Sequence, residues 1–226
     1  HGVVVREDFI NEYPEVAVAF VKAVYDAGVW IREDPIRAVD LMEKWTGVEK
    51  EVLYIYFSEG GHLTLDPTIK NKFVDALKFN HGVLVTEKSI PSLDFDEWIT
   101  EDYLKTAYKE MGIDYEGDKA ILVDPAIINA SLPMEIWHSR DGISTYATSK
   151  DFLAAIDNFR KTGAKLNATY VYDKKTGLKL FGKTAFFVKT KGGYETFLRK
   201  PDADKFASEA GGEVMNLEKV IASISS

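Results

Sequence analysis

The chain has 226 residues, 46% hydrophobic and 12% aromatic, with a net charge of −8 and no cysteine. Without a thiol it forms no disulfide, zinc–thiolate centre, iron–sulfur cluster or cysteine nucleophile. The apolar share suffices for a folded core, and no apolar run reaches the roughly 18–20 residues of a membrane span.

The charge is uneven along the chain. Residues 1–118 hold 12 Lys+Arg against 24 Asp+Glu, and residues 119–226 hold 16 against 12. That break predicts two modules, 1–118 and 119–226, with the boundary in the short polar stretch 113–119. The basic residues form no dense cluster suited to nucleic acid, so no nucleic-acid partner is expected.

In chain order, Val3 to Val5 reads as a buried β-strand, since three β-branched residues favour extended backbone. The opening is a strand pattern and not a signal peptide, as expected of a fragment or a processed product. Pro14 and Glu15 open a helix, and Val16, Phe20, Ala23, Val24, Ala27 and Ile31 recur at helical spacing as its apolar stripe. Asp34-Pro35 starts a second helix through Ile36, Val39, Met42 and Trp45, which Gly47 ends in the left-handed conformation. Val48 to Phe57 predicts a third. His62 to Leu65 looks extended, and Asp66-Pro67 starts a helix carrying Ile69, Phe73, Ala76 and Leu77 that ends at Asn80 to Gly82. Thr100 caps a last helix over Tyr103, Leu104, Ala107, Tyr108 and Met111, stopped by Gly112.

The period changes after Lys119. Met134 to Ser139 alternates, Asp141-Gly142 fits a hairpin turn, and Ile143 to Thr148 runs back. Ser149 caps a helix with Phe152, Leu153, Ile156 and Phe159, closed by Gly163. Ala168 to Tyr172, Leu178 to Val188 and Thr196 to Arg199 read as strands. Pro201 opens a helix, Val214-Met215 is a short strand, and Leu217 to Ile224 forms the terminal helix. A helix-rich first part and an α+β second part are expected.

Two resemblances follow from these stretches. VVVREDFINEYPEVAVAFVKAV, DPIRAVDLMEKWTG, HLTLDPTIKNKFVDALKF and ITEDYLKTAYKEMG resemble, in that order, the C-terminal part of ABC-importer solute-binding proteins. The group is that of the nitrate, taurine, sulfonate and thiamine-pyrimidine receptors. This implies a helix-rich α/β fragment of a periplasmic-binding-protein fold, a small anion or heterocycle as solute, an ABC permease as partner of the full-length protein, and an extracytoplasmic location. MEIWHSRDGISTYATSKDFLAAI, ATYVYDKKTG, GKTAFFV and ADKFASEAGGEVMNLEKV resemble NosL, a copper-binding accessory lipoprotein, which implies a small α+β domain. The family's Cys-Gly-Met copper motif is missing here. No cofactor is therefore expected from the residues, although copper remains open through other ligands, since Cu(I) prefers sulfur.

Candidate site residues are few. Met134 and His138 share a strand face with Ile136 and offer a thioether and an imidazole to copper, with Met215 a third ligand if the fold brings it near; the plainer reading is core packing beside a hairpin. His62 follows two glycines and could meet an anion or metal, while His81 suits a helix C-terminus. His1 carries no argument. Trp30, Trp45, Tyr54, Tyr56 and Trp98 could stack on a heterocycle, and Tyr170 with Tyr172 could form an exposed platform, although core packing is the default. The carboxylate pairs Asp40 with Glu43 and Asp96 with Glu97 lack a histidine or metal context. Gly192-Gly193 is no phosphate loop, and no catalytic set emerges. The chain is thus expected to be no enzyme but a solute-binding component joined to a NosL-like module. Cu(I) handling and a non-catalytic assembly role are the alternatives, and the apolar stripe at 16–31 raises the prospect of a homodimer.

Overall fold

The structure, a computed structural model, describes residues 3–61, 67–120, 132–138 and 142–224. His1, His62 to Leu65, Ser139 and Asp141 lie outside them. By contact the chain divides into two compact units: His1–Trp30 with Thr64–Leu122, and Ile31–Leu63 with Val123–Ser226. The charge break thus falls close to one dividing line, but residues 31–63 sit with the C-terminal half.

The first unit is helical throughout its described residues. Helix α1 (Glu7–Glu12) and α2 (Pro14–Glu33) are followed by α3 (Pro35–Thr46) and α4 (Lys50–Phe57), which belong to the second unit. The first unit resumes with α5 (Asn71–Thr86), α6 (Phe95–Trp98), α7 (Asp102–Met111) and α8 (Tyr115–Ala120). Val21, Ala107, Tyr108 and Tyr115 form its small core, with Val18, Tyr25, Leu104 and Met111 packed around it. Tyr108 meets Tyr25 and Tyr115 edge-on at 5.5 and 5.2 Å between ring centres.

Several expectations are corrected here. Val3 to Val5 is exposed and pairs with nothing as a strand, so the sheet that a periplasmic-binding-protein fragment needs is missing among the described residues of this unit. The buried line of α2 is Val18, Val21, Tyr25 and Gly28; the stripe through Val16 and Phe20 faces outward. Both lines are apolar, and periodicity alone does not choose between them. Helix α5 also runs through Asn80 to Gly82 up to Thr86. A single glycine weakens a helix by only about 1 kcal/mol.

The second unit is two sheets with helices. In the first sheet the order is β2-β1-β3-β4, from β1 (Met134–His138), β2 (Gly142–Tyr146), β3 (Leu166–Tyr172) and β4 (Lys179–Phe181). The second sheet has the order β6-β5-β7, from β5 (Phe186–Thr190), β6 (Gly193–Phe197) and β7 (Val214–Asn216). Helix α9 (Ser149–Lys161) follows β2, α10 (Lys200–Ala210) follows β6, and α11 (Leu217–Ile224) ends the described chain. All strand pairs are antiparallel.

The expected single strand Leu178 to Val188 is two strands in two sheets. Between them the N–H groups of Thr184 and Ala185 turn back onto the Phe181 carbonyl. Gly182 approaches Thr169 so closely that a Cβ would sit 2.6 Å from its hydroxyl oxygen. Helix α9 is capped by Thr148, one residue before the expected Ser149; the Thr148 hydroxyl accepts the Asp151 N–H at 3.1 Å.

Alternation along the first sheet gives it two buried faces. Ile136, Val171 and Leu180 join Phe152, Leu153 and Ile156 of α9, Phe187 and Met215 of the second sheet, and Val220 and Ile221 of α11 in the main core. Trp137, Ala168 and Tyr170 look the other way, onto Val39 of α3 and Tyr54 of α4. The register of β3 against β1 slips between Trp137 and His138, which face Ala168 and Leu166. This bulge leaves Asn167 unmatched and puts Leu166 and Ala168 on opposite faces.

Candidate functional site

The first sheet's face toward α3 and α4 carries the most unusual chemistry. Glu135 shares it with Trp137 on β1, and Lys179 shares it with Phe181 on β4, each a charged residue two positions from an aromatic one. The Lys179 side chain is 0% exposed, and its Nζ lies 2.5 Å from Glu135 Oε2. A buried ion pair needs further polar partners to offset desolvation. They are present: Lys179 Nζ donates to Ser58 Oγ at 2.6 Å and to the Glu59 carbonyl at 3.3 Å. Tyr54 donates to Glu135 Oε1 at 3.0 Å.

Three tyrosine rings complete the surroundings. The ammonium stands 4.6 Å from the ring centre of Tyr54, 5.4 Å from Tyr170 and 5.8 Å from Tyr172, within reach of cation–π attraction. Burial lowers the Lys179 pKa, and Glu135 opposes that shift. Burial and then the Glu135 charge raise the Tyr54 phenol above its ordinary value, and burial does the same for Tyr170 and Tyr172. Tyr170 also donates to the Glu51 carbonyl at 2.9 Å and Tyr172 to the Glu59 carbonyl at 3.4 Å. Gly60 has φ +74°, and a Cβ there would come within 3.0 Å of the Tyr172 ring.

Ser58 and Lys179 have the composition of a serine–lysine nucleophilic pair. Here, however, Lys179 Nζ is paired with Glu135 and donates to Ser58 Oγ, so it is not placed to accept the hydroxyl proton. Ser58 is buried and spends its own proton on the Tyr54 carbonyl at 2.5 Å. The arrangement holds a charge in place and has no free base to activate a nucleophile.

The expected site residues are distributed as follows. Tyr54, Tyr170 and Tyr172 come together, but around Lys179; Tyr170 is 0% exposed and no open platform results. Met134 and His138 share the face toward the main core. His138 is 2% exposed, its Nε2 is 2.9 Å from Ser144 Oγ, and its ring stacks on Phe159 at 4.8 Å. Met134 packs against the main core, and Met215 is buried in it. Met134 and His138 lie four strand positions, about 13 Å, apart along β1. Among the described residues, no group of three His, Cys, Asp or Glu is placed to hold a metal.

Asp40 and Glu43 converge on Lys50 at the start of α4: Asp40 pairs with its ammonium at 3.0 Å, and Glu43 accepts its backbone N–H at 3.2 Å. Asp40 raises the Lys50 pKa. Asp96 lies 3.8 Å from Lys78, in a surface pair. His81 meets the Pro91 carbonyl at 3.2 Å and the Phe95 ring edge-on. Trp45 is 80% exposed on α3, Tyr56 and Trp98 are also exposed, and Trp30 is half-buried.

Glu135, Lys179 and Ser58 were not among the candidates read from sequence. A charged residue set among apolar neighbours on a strand, at two positions predicted to be strand, was the available signal.

No family model matches the chain, and no curated protein matches it. Among solved structures, the copper chaperone NosL from Shewanella denitrificans is similar at 16% identity with a TM-score of 0.35, over 39% of this chain and 80% of that one. The likeness is weak. No helix among the described residues is long and apolar enough to cross a membrane.

Proposed function

We propose that this protein is a non-catalytic assembly module that works through contact surfaces and associates with a second copy of itself through its helical unit. Helix α5 carries the reading: its sixteen residues bury no side chain, and Phe79 is 72% exposed. Phe79 and Val83 lie one turn apart, while Phe73 and Leu84 make a second exposed stripe around the helix. A helix apolar on more than one side is built for burial. A two-fold dimer supplies that cover from the same surface.

The solute-receptor reading, with its permease partner, has less support, because the strand it needs at Val3 to Val5 is unpaired. Copper handling through Met134 and His138 has less support because the imidazole is already buried and engaged. The extracytoplasmic setting comes with those two resemblances and is tested by locating the protein in fractionated cells.

Sedimentation velocity at micromolar concentration tests the dimer. The expected result is a dimer that Phe79→Glu converts to monomer with unchanged circular dichroism. A wild-type monomer overturns the reading, as does a dimer indifferent to Phe79→Glu.

A further inference from the structure

The second unit is assembled from two stretches far apart in sequence, residues 31–63 and 123–226. Its first sheet and the main core behind it come entirely from the later stretch. The earlier stretch contributes Val39 and Tyr54 as buried members of the shared cluster, with Ile36, Leu53, Ile55 and Phe57 packed against it. Polar contacts meet both ends of α4: Tyr170 and Asn167 reach Glu51 in its first turn, and Lys179 reaches its C-terminal end. A helix ends with carbonyl groups that lack partners within it and carries partial negative charge there. Lys179 brings a full positive charge to that end, reaching Ser58, which caps α4, and the carbonyl of Glu59.

We propose that the Lys179 ammonium is a latch: its charge recruits the α3–α4 hairpin to the sheet, and the second unit is one body only while that charge is in place. Every group facing the ammonium serves this end. Glu135, fixed on β1, pairs with the lysine and aims it. Tyr170 and Tyr172 on β3 and Tyr54 on α4 surround it with ring faces, and Ser58 and Glu59 receive it on the helix side. The rival account is that apolar packing holds α4 and the ion pair is incidental. Buried pairs replaced by apolar residues of like size often leave stability unchanged or improved, so the two accounts predict different results.

Hydrogen exchange on the full chain, read peptide by peptide, separates them. The variants are Lys179→Met and the doubly apolar Lys179→Met/Glu135→Leu, with Ser58→Ala as a milder change that removes one receiving group. In both lysine variants the amides of residues 50–57 are expected to exchange at least tenfold faster, while those of residues 150–161 in α9 keep wild-type protection. Ser58→Ala gives a smaller acceleration confined to α4. Wild-type protection of α4 in the double variant overturns the proposal. Equal loss across α4 and α9 also overturns it, because the pair would then support the whole unit and not the docking of one hairpin. Should the lysine variants fail to fold, unchanged exchange of α4 in Ser58→Ala overturns it alone.

Discussion

The Ser149 hydroxyl accepts the backbone N–H of Tyr194 at 2.8 Å, tying the first turn of α9 to the start of β6. The contact requires a glycine beside it. Gly193 has φ +139°, and a Cβ at that position would lie 2.5 Å from Ser149 Oγ. Ser149→Ala is expected to cost about 1 kcal/mol, the usual net worth of a hydrogen bond. Gly193→Ala adds backbone strain and a clash, for about 2–4 kcal/mol. Urea unfolding of the two variants checks the order; equal losses would show that the close approach is not needed.

The contrast between core and surface phenylalanines is equally sharp. Phe152 is wholly buried in the main core, whereas Phe79 stands open on α5. Phe152→Ala is expected to destabilise by about 3–5 kcal/mol. Phe79→Ala is expected to stay within about 0.5 kcal/mol for the monomer, measured at a concentration too low for self-association.

Acid should act first on the helical unit. Burial raises the Glu101 pKa, but contacts from Lys119, Tyr115 and Lys105 outweigh it and hold the carboxyl below its ordinary 4.5. A depressed carboxyl stabilises the fold above its unfolded pKa and loses that contribution as pH falls through the folded value. Stability should therefore decline as pH falls below about 4.5, and Glu101→Gln should remove part of the slope. Melting curves from pH 6 to 3 on both proteins give the comparison.

Alkali should act on the second unit. Tyr54, Tyr170 and Tyr172 have phenols raised above the ordinary 10.0. Their stabilisation is complete below that pH and is lost as pH rises toward the folded values, since the unfolded chain ionises first. Lys179 is shifted downward and works in the opposite sense, one group against three. A net fall in stability above about pH 10 is expected. Absorbance of tyrosinate near 295 nm should rise first for the exposed tyrosines and complete its rise only with unfolding; ionisation of all eleven tyrosines in the folded protein would contradict the burial of these rings.

His138 offers a test of its own. Removing the ring in His138→Ala deletes the stack on Phe159 and the contact with Ser144, so a loss of about 1–3 kcal/mol is expected. Anaerobic titration with Cu(I) should give the same result for wild type and for Met134→Ala, because the His138 ring is already engaged by Ser144 and Phe159.

Much of the helical content was legible because its signals are local. Asp34, Pro35 and Gly47 bound α3 where the capping rules place its ends, and the Asp34 carboxylate accepts the Arg37 N–H at 3.0 Å. The hairpin of β1 and β2 and the last two helices follow equally from alternation and turn residues. What failed depends on partners distant in sequence. Val3 to Val5 carries strand propensity with no neighbouring strand to satisfy it. The outward choice of the Val16 stripe is made by Tyr108 and Ala107, some ninety positions later. The division of Leu178 to Val188 is made by Gly182 closing on Thr169. The tyrosine box was half legible: its rings were singled out, but the lysine among them was hidden by its charge, because a lone charged residue on a strand is ordinarily read as facing water.

The slip in β3 has its own consequence for how this domain tolerates change in length. Asn167 has no opposite number on β1, and its side chain reaches out to Glu51 at 3.1 Å. Deleting it would let Leu166 follow Ala168 in an unbroken ladder while each keeps the face it already occupies. Ordinarily, dropping one residue from a central strand turns everything beyond it inside out; here the spare position absorbs the loss.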